Sequence, residues 1–258
     1  MKCICGVSKI TKLFSAANYK IARCIACGQV RTVTPKGFVR KQLYIAEDTS
    51  IYIEKEHMFR ILFRQIVRFI LQFKPSGILV DIGAGIGLLA DEAKNAGFDV
   101  TGFEPSKQMA DAARKHFGIK LVNGYFSPKK IREKADVVVI NHVLEHLSDP
   151  YKTVSQIKAA LKLHGLLVIG VPNFGSFLAM WKKGRWQSLI PDQHRWHFTL
   201  QTLDRLVLPF GFVRLGMQQE NHERTMHPWW KHPAYLVLDT IAIITGRAEA
   251  MLVAYQKI

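Results

Sequence analysis

A short apolar run enters three closely spaced glycines and leaves as a helix at Ile78-Leu-Val-Asp81-Ile-Gly83-Ala-Gly85-Ile-Gly87-Leu88. A buried strand that turns through glycines into a helix lets backbone approach a ligand at the carboxyl end of a parallel sheet. The pattern around this turn alternates. Short strands are expected at 78–82, 99–103, 119–122, 136–140 and 166–171, with helices at 88–96, from Ser106 to 116, and at 150–161. Such alternation predicts an α/β chain whose parallel sheet is covered on both faces. A helix over 199–209, a strand over 212–217 and a last strand over 250–255, pairing with it, complete the reading. Upstream, Phe59, Leu62, Phe63, Ile66, Phe69, Ile70 and Phe73 recur at three- and four-residue steps, with Arg60, Arg64 and Arg68 on another face. This predicts one helix over 54–73.

Two carboxylates refine the glycine turn. Asp81 lies two residues before Gly83, where a negative charge is awkward for a pyrophosphate and favourable for an ammonium or sulfonium. The glycine spacing is G-x-G-x-G, not the G-x-G-x-x-G of dinucleotide enzymes, which disfavours an NAD-dependent oxidoreductase. Glu104 ends the second strand, 21 residues after Gly83, placed to accept hydrogen bonds from both hydroxyls of a ribose. A capping role for Asp81 and a surface position for Glu104 are the competing readings.

All 4 cysteines fall within the first 27 residues, as Cys3-Ile-Cys5 and Cys24-Ile-Ala-Cys27, separated by a hairpin-length spacer. Two tight turns that each offer two thiolates suit a tetrahedral structural zinc, and four sulfur ligands leave no open catalytic position. Gly6 and Gly28 follow the second cysteine of each pair, where a turn needs conformational freedom. Disulfides are the rival reading, disfavoured by a reducing compartment. No secretory signal is visible over 1–30 and no window reaches the length of a bilayer span, so a cytoplasmic location is expected. The nearest apolar stretch, 235–245, is interrupted by Asp239; it suits a buried helix or a peripheral membrane contact.

Asp81 to Gly87, Glu104, the run Asn141-His142-Val143-Leu144-Glu145-His146-Leu147-Ser148-Asp149-Pro150 and Gly165 to Asn173 resemble class I S-adenosylmethionine-dependent methyltransferases. The nearest in kind are the ubiquinone-biosynthesis-like small-molecule methyltransferases, and the cysteine segment is similar to a zinc-ribbon start in bacterial members. The resemblance spans about residues 75–215. It implies a Rossmann-like seven-stranded sheet whose last strand is antiparallel, with a zinc-ribbon-like module and basic linker over 1–40 and the methyltransferase domain over 41–258. It also implies that Gly83, Gly85 and Gly87 line the methionine part of the cofactor, Asp81 its amino end and Glu104 its ribose. Asn123 and Asn141 complete the implied cofactor set. Asn123 departs from the acidic residue that members often carry near the adenine.

Methyl transfer requires alignment of a nucleophile with the C–S bond and, for oxygen or carbon acceptors, removal of a proton. His142 and His146 follow the central strand four residues apart, with Glu145 alongside. His194 and His197 lie in Pro191-Asp-Gln-His-Arg-Trp-His-Phe-Thr199, a segment that covers the acceptor pocket in the family. These four histidines are the catalytic candidates; bracing of the loop by hydrogen bonding is the alternative for His142 and His146, and an amphipathic surface segment with a capping Thr199 is the alternative for the segment of His194 and His197. Some relatives hold a divalent ion at the His142–His146 segment. His222, His227 and His232 suggest no metal site.

The chain has 36 Lys+Arg against 20 Asp+Glu, a formal net charge of +16. Residues 1–76 hold 14 basic and 4 acidic side chains, so the excess is concentrated at the start. That leaves a tRNA or rRNA methyltransferase open beside a methyltransferase for a sugar, quinone, lipid-linked or similar metabolite. Asn141-His142-Val143-Leu144 lacks the Asn-Pro-Pro-aromatic pattern used on base amino groups, and no Pro-Cys pair is present. A non-enzymatic zinc-ribbon adaptor is the remaining alternative, opposed by the intact glycine turn.

Overall fold

The computed structural model describes residues 3–35, 49–220, 240–242 and 244–258. Most of the basic linker, the three histidines at 222, 227 and 232, and residues 235–239 of the apolar stretch lie outside them.

The chain opens with an antiparallel meander of β1 (Ile10–Ala16), β2 (Tyr19–Cys24) and β3 (Val30–Val33). Two helices follow, α1 (Ser50–Glu54) and α2 (Glu56–Leu71). The helix expected over 54–73 is present as α2, and α1 is a further short helix that the pattern did not mark. Lys55 leaves helical geometry between the two, and Tyr52 of α1 packs against Phe59 of α2 at 4.8 Å between ring centres. Next come β4 (Gly77–Ile82), α3 (Leu88–Asn95), β5 (Phe98–Glu104), α4 (Lys107–Phe117), β6 (Val122–Asn123), β7 (Ala135–Asn141), α5 (Pro150–Ala160) and β8 (Leu161–Pro172). The remaining elements are α6 (Phe177–Lys182), β9 (Trp196–His197), α7 (Leu200–Val207), β10 (Phe212–Glu220) and β11 (Ala250–Lys257).

The third parallel strand is shorter and later than the expected 119–122. Gly118 closes α4 with a left-handed backbone, and the Ile119 N–H caps the helix by donating to the Ala113 carbonyl. Ile119 is thus consumed by the helix end, and pairing with β5 starts at Val122.

Seven strands form one sheet in the order β10-β11-β8-β7-β4-β5-β6. β4 to β8 run parallel, whereas β11 is antiparallel to both β8 and β10. Strand alternation divides the core into two layers. Leu79, Val137, Val139, Leu166, Val168 and Leu252 face Ile66, Val67 and Ile70 of α2 and Leu89 of α3. Val80, Val138, Ile140, Leu167, Ile169 and Val253 face Val154 and Ile157 of α5 and Leu203 and Leu206 of α7. Both faces are buried, which is why β7 reads as a continuous apolar run. Arg60 and Arg64 are not a solvated face. They bind Glu92, and Arg60 also binds Asp91, tying α2 to α3 at 2.7–2.8 Å.

The meander is not a separate bead. β9 joins it as a fourth strand, in the order β1-β2-β3-β9, with Val30 opposite His197 and Arg31 opposite Trp196. Ile21 and Val30 pack with Ala179, Trp186 and Leu189, so the meander's apolar face rests on residues 174–189.

Candidate functional site

The glycine turn sits at the carboxyl end of β4, in the middle of the parallel sheet. Gly83 and Ala84 donate their N–H groups to the Phe103 carbonyl, and the Gly85 N–H donates to Glu104 Oε2 at 2.9 Å. Glu104 Oε1 accepts from the Ser106 N–H at 2.7 Å. The second strand's last carboxylate thus moulds the turn of the first. A Cβ at Gly83 would strike Val143, whereas one at Gly85 would project into open space from a left-handed backbone. The first glycine seats the histidine loop against the turn, and the second leaves a vacant cradle.

Asp81 and Glu104 are buried, which removes the cap and surface readings. Asp81 is 2% exposed and its Oδ2 accepts no hydrogen bond. Burial, followed by repulsion from Glu104, pushes its pKa up to about 7. An unbonded carboxylate beside an open glycine cradle, with a second carboxylate at the next strand end, fits a ligand bearing a cationic head and a ribose. S-adenosylmethionine is such a ligand. Asn123 stands at the end of β6 with Nδ2 donating to the Glu104 and Pro105 carbonyls. Asn141 ends β7 with its amide over Gly170, where even a methyl group would clash with it.

The second constellation lies just past β7. His142 has a left-handed backbone (φ 52°), unusual for a residue with a Cβ, and its N–H donates to the Gly170 carbonyl. The turn leaves the His142 side chain 39% exposed and brings its Nδ1 to 3.4 Å from Glu145 Oε1, while Glu145 is 1% exposed. Neither Glu145 oxygen accepts a well-aligned hydrogen bond, so the His142 contact is electrostatic, and it is an ion pair only when the imidazole is protonated. Burial disfavours the Glu145 carboxylate, but His142, and then His146 and His194, outweigh it and hold its pKa down at about 2.

His194 and His146 complete the cluster. Their rings meet edge to face at 4.7 Å, and His194 Nε2 stands 4.0 Å from Glu145 Oε1. His194 Nδ1 lies 2.9 Å from the Ser188 carbonyl, which fixes the proton on Nδ1 and turns the Nε2 lone pair toward Glu145. Burial lowers the His194 pKa to about 4 and lowers that of His146 as well. Lone pairs therefore face a carboxylate, and His146 Nδ1 has no hydrogen-bond partner. Glu145, His146 and His194 bring one ligand atom each within 4.8 Å, an arrangement that a divalent cation or a shared proton would satisfy.

His197 stands apart from this cluster. It is buried, its ring is 6.5 Å from that of His194, and Thr32 Oγ1 lies 2.8 Å from its Nε2. Gln29 Nε2 donates to the His197 carbonyl at 2.9 Å, and the Thr32 N–H donates to the Arg195 carbonyl. On the other side, the Arg195 N–H donates to the Glu145 carbonyl and Trp196 Nε1 to that of Leu147. The segment carrying His194 and His197 is clamped between the meander and the Glu145 loop. Gln29 and Thr32 are contributors that sequence reasoning missed; they act across more than 160 residues, and no local pattern marks them.

The four cysteines close at one end of the meander. Cys3 Sγ is 3.4 Å from Cys27 Sγ and Cys5 Sγ 3.6 Å from Cys24 Sγ, with all four within 4.8 Å of one another. Tetrahedral zinc with bonds of about 2.3 Å separates its sulfurs by roughly 3.8 Å, so the donor set fits that ion. Burial raises the Cys3 and Cys27 thiols. Burial also works against the Cys24 thiolate, but the Cys27 and Ala26 N–H groups bring its pKa down to about 7.

Comparison with known proteins agrees with this architecture. The chain is 30% identical over 109 residues to an uncharacterized methyltransferase of Alkaliphilus oremlandii, covering 41% of this chain and 50% of that one. It is 30% identical over 118 residues to the ubiquinone biosynthesis O-methyltransferase of Actinobacillus pleuropneumoniae, covering 40% and 50%. The chain thus spans about half the length of these curated relatives. The crystal structure of a SAM-dependent methyltransferase from Archaeoglobus fulgidus superposes with a TM-score of 0.59 at 19% identity, over 81% of this chain and 100% of that one, a likeness of fold. Residues 55–215 match the family described as a methyltransferase domain, and by that match, which takes in the glycine turn, Glu104 and the histidine loop, the chain belongs to the methyltransferase family.

Proposed function

We propose that the protein is an S-adenosylmethionine-dependent methyltransferase that methylates an oxygen of a small-molecule acceptor, with His142 as general base and a structural zinc on Cys3, Cys5, Cys24 and Cys27. The observation that carries the reading is the His142–Glu145 pair. A buried carboxylate at 3.4 Å from Nδ1 favours the tautomer protonated there, leaving the His142 Nε2 lone pair for a hydroxyl proton. Bound S-adenosylmethionine supplies an electrophilic methyl group. Asp81 would meet its ammonium, Glu104 its ribose and the Gly83–Gly87 backbone its methionine chain, while Asn123 and Asn141 border the site. His194 and His197 line the acceptor side, and Arg195 and Trp196 fix the segment that carries them. An oxygen acceptor also matches the O-methyltransferase activity for which the ubiquinone-biosynthesis relative is named.

A second reading of the same cluster is a divalent ion on Glu145, His146 and His194, favoured by the unbonded Glu145 oxygens and His146 Nδ1. Metal content of a Cys24→Ser/Cys27→Ser variant tests it, since that variant loses the zinc and keeps this ion. For the base, labelled-methyl transfer to a panel of phenols, hydroxylated lipids and carboxylic acids is compared in wild type, His142→Ala and Glu145→Gln. Loss of a positioned base lowers the rate by about 10²–10⁴. We expect such a fall at unchanged cofactor affinity. Wild-type turnover in His142→Ala would remove His142 from the mechanism.

A further inference from the structure

α6 buries one face and exposes the other. Ala179 is buried and Leu178 packs against the meander's apolar cluster, whereas Phe177, Met180 and Trp181, at three- and four-residue steps, point outward. Trp181 is 76% exposed. Residues 241 and 244 belong to the chain's last helical turn, where Ile244 is 78% exposed and Ile241 is exposed as well. The two segments are joined. The Phe177 N–H donates to the Arg247 carbonyl, and the Arg247 guanidinium lies 5.1 Å over the Phe177 ring. α6 thus presents Phe177, Met180 and Trp181, and the segment bonded to its start presents Ile241 and Ile244.

Their rim is basic. Lys182, Lys183 and Arg185 follow Trp181 directly, Arg247 stands at the junction, and residues 174–191 contain no acidic side chain. The nearest carboxylate in sequence to Arg247, Glu249, is buried and accepts a hydrogen bond from Trp186. An exposed Trp among aliphatic side chains, ringed by Lys and Arg, matches the chemistry of a bilayer interface, where the indole sits at headgroup depth and the cations meet anionic lipid. We propose that this face docks the protein peripherally on an anionic membrane. The helices are too short to cross it: among the described residues no helix is long and apolar enough to span a bilayer. Docking is independent of the acceptor chemistry proposed above. Its consequence is that Phe174, 5.5 Å from the His197 ring, joins the docked face to the acceptor segment, which suits an acceptor residing in the lipid.

The test is sedimentation of the full-length protein with vesicles of phosphatidylcholine alone or mixed equally with phosphatidylglycerol. Wild type is expected to pellet with the anionic vesicles, to stay in solution with the neutral ones and to be released by salt. Brominated lipid should quench its Trp fluorescence. Met180→Ser/Trp181→Ser and, on the other segment, Ile241→Ser/Ile244→Ser are each expected to weaken partitioning at least about tenfold, and Lys183→Glu/Arg185→Glu to abolish the preference for anionic lipid. Thermal melts identify any variant that fails to fold. The proposal is overturned if wild type ignores anionic vesicles at low salt, or if both apolar variants bind as wild type does. It is also overturned if the apolar substitutions dissociate a dimer instead, which would make the face a contact between copies, or if RNA rather than lipid is retained through Trp181.

Discussion

Asp81 sits in the folded chain with a carboxylate oxygen that accepts no hydrogen bond and with a second carboxylate, Glu104, close enough to raise its pKa. Its pKa, about 7 against an ordinary 3.8, means that the cofactor-free fold binds more protons than the unfolded chain between those values. The contribution of Asp81 to stability therefore declines as pH rises through that window. A bound ammonium reverses the preference, so cofactor binding must release the proton. Affinity for S-adenosylmethionine is expected to fall about tenfold per pH unit below 7 and to level off above it. Asp81→Asn should abolish that slope, weaken binding at pH 8 by at least about tenfold, or roughly 1.4 kcal/mol, and raise the melting temperature of the cofactor-free protein. Calorimetric titration across pH checks the first two, and a thermal melt checks the third. A pH-independent wild-type affinity would show that Asp81 does not meet the cation. Asp81 was legible in the sequence because its role is local to the glycine turn. His142 was legible as a candidate, but neither its left-handed backbone nor the burial of Glu145 could be read. Both depend on Gly170 and on Arg195, from strands brought alongside by the fold.

Among the elements, legibility follows sequence separation in the same way. The unit from β4 through the turn to α3 is one continuous stretch with its own glycines, and it forms where the pattern put it. β9 is only two residues long and owes its existence to β3, far away in the chain. No propensity could announce it. The consequence is that the cysteine module is tied to the segment bearing His194 and His197, through Thr32, Gln29 and the apolar contacts of Ile21 and Val30, on the side where the acceptor is proposed to bind. Arg205 of α7 adds a tie by donating to the Cys27 carbonyl. The glycine turn, in contrast, is held by β5, by the His142 loop and by the packing of Ile86 with Met109, Phe59 and Phe63, none of them in the meander. Cys24→Ser/Cys27→Ser should therefore lose its one zinc, lower the melting temperature and cut acceptor methylation, while leaving S-adenosylmethionine affinity unchanged. Metal analysis and calorimetry on the same preparation check this. Loss of cofactor binding in step with zinc would show that the two sheets fold as one unit, and an absence of zinc under reducing conditions would remove the metal from the module.

At the scale of the whole molecule, the formal charge of +16 already sets every paired cation against its carboxylate, so what a polyanion meets depends on where the excess is placed. Arg31 is buried at the β3–β9 junction. Arg60 and Arg64 are neutralised by Glu56, Asp91 and Glu92, Lys162 by Asp136 and Arg214 by Asp204. Arg31, Arg60 and Arg64, counted in the basic first 76 residues, are thus ties within the fold, and the meander's apolar face packs on residues 174–189. What stays exposed beside the acceptor segment is Trp181 with Lys183 and Arg185, a mixed face rather than a cationic groove. RNA is accordingly expected to bind weakly. Each neutralised phosphate on a duplex contributes about 0.9 to the slope of log affinity against log salt, so a five-phosphate contact would give a slope near roughly 4.5. We expect a value below about 2 with total tRNA, and no methyl incorporation into tRNA or rRNA above background. Filter binding over a salt series and labelled-methyl incorporation measure the two quantities. A steep slope accompanied by incorporation that disappears when residues 1–40 are deleted would make nucleic acid, not a metabolite, the acceptor.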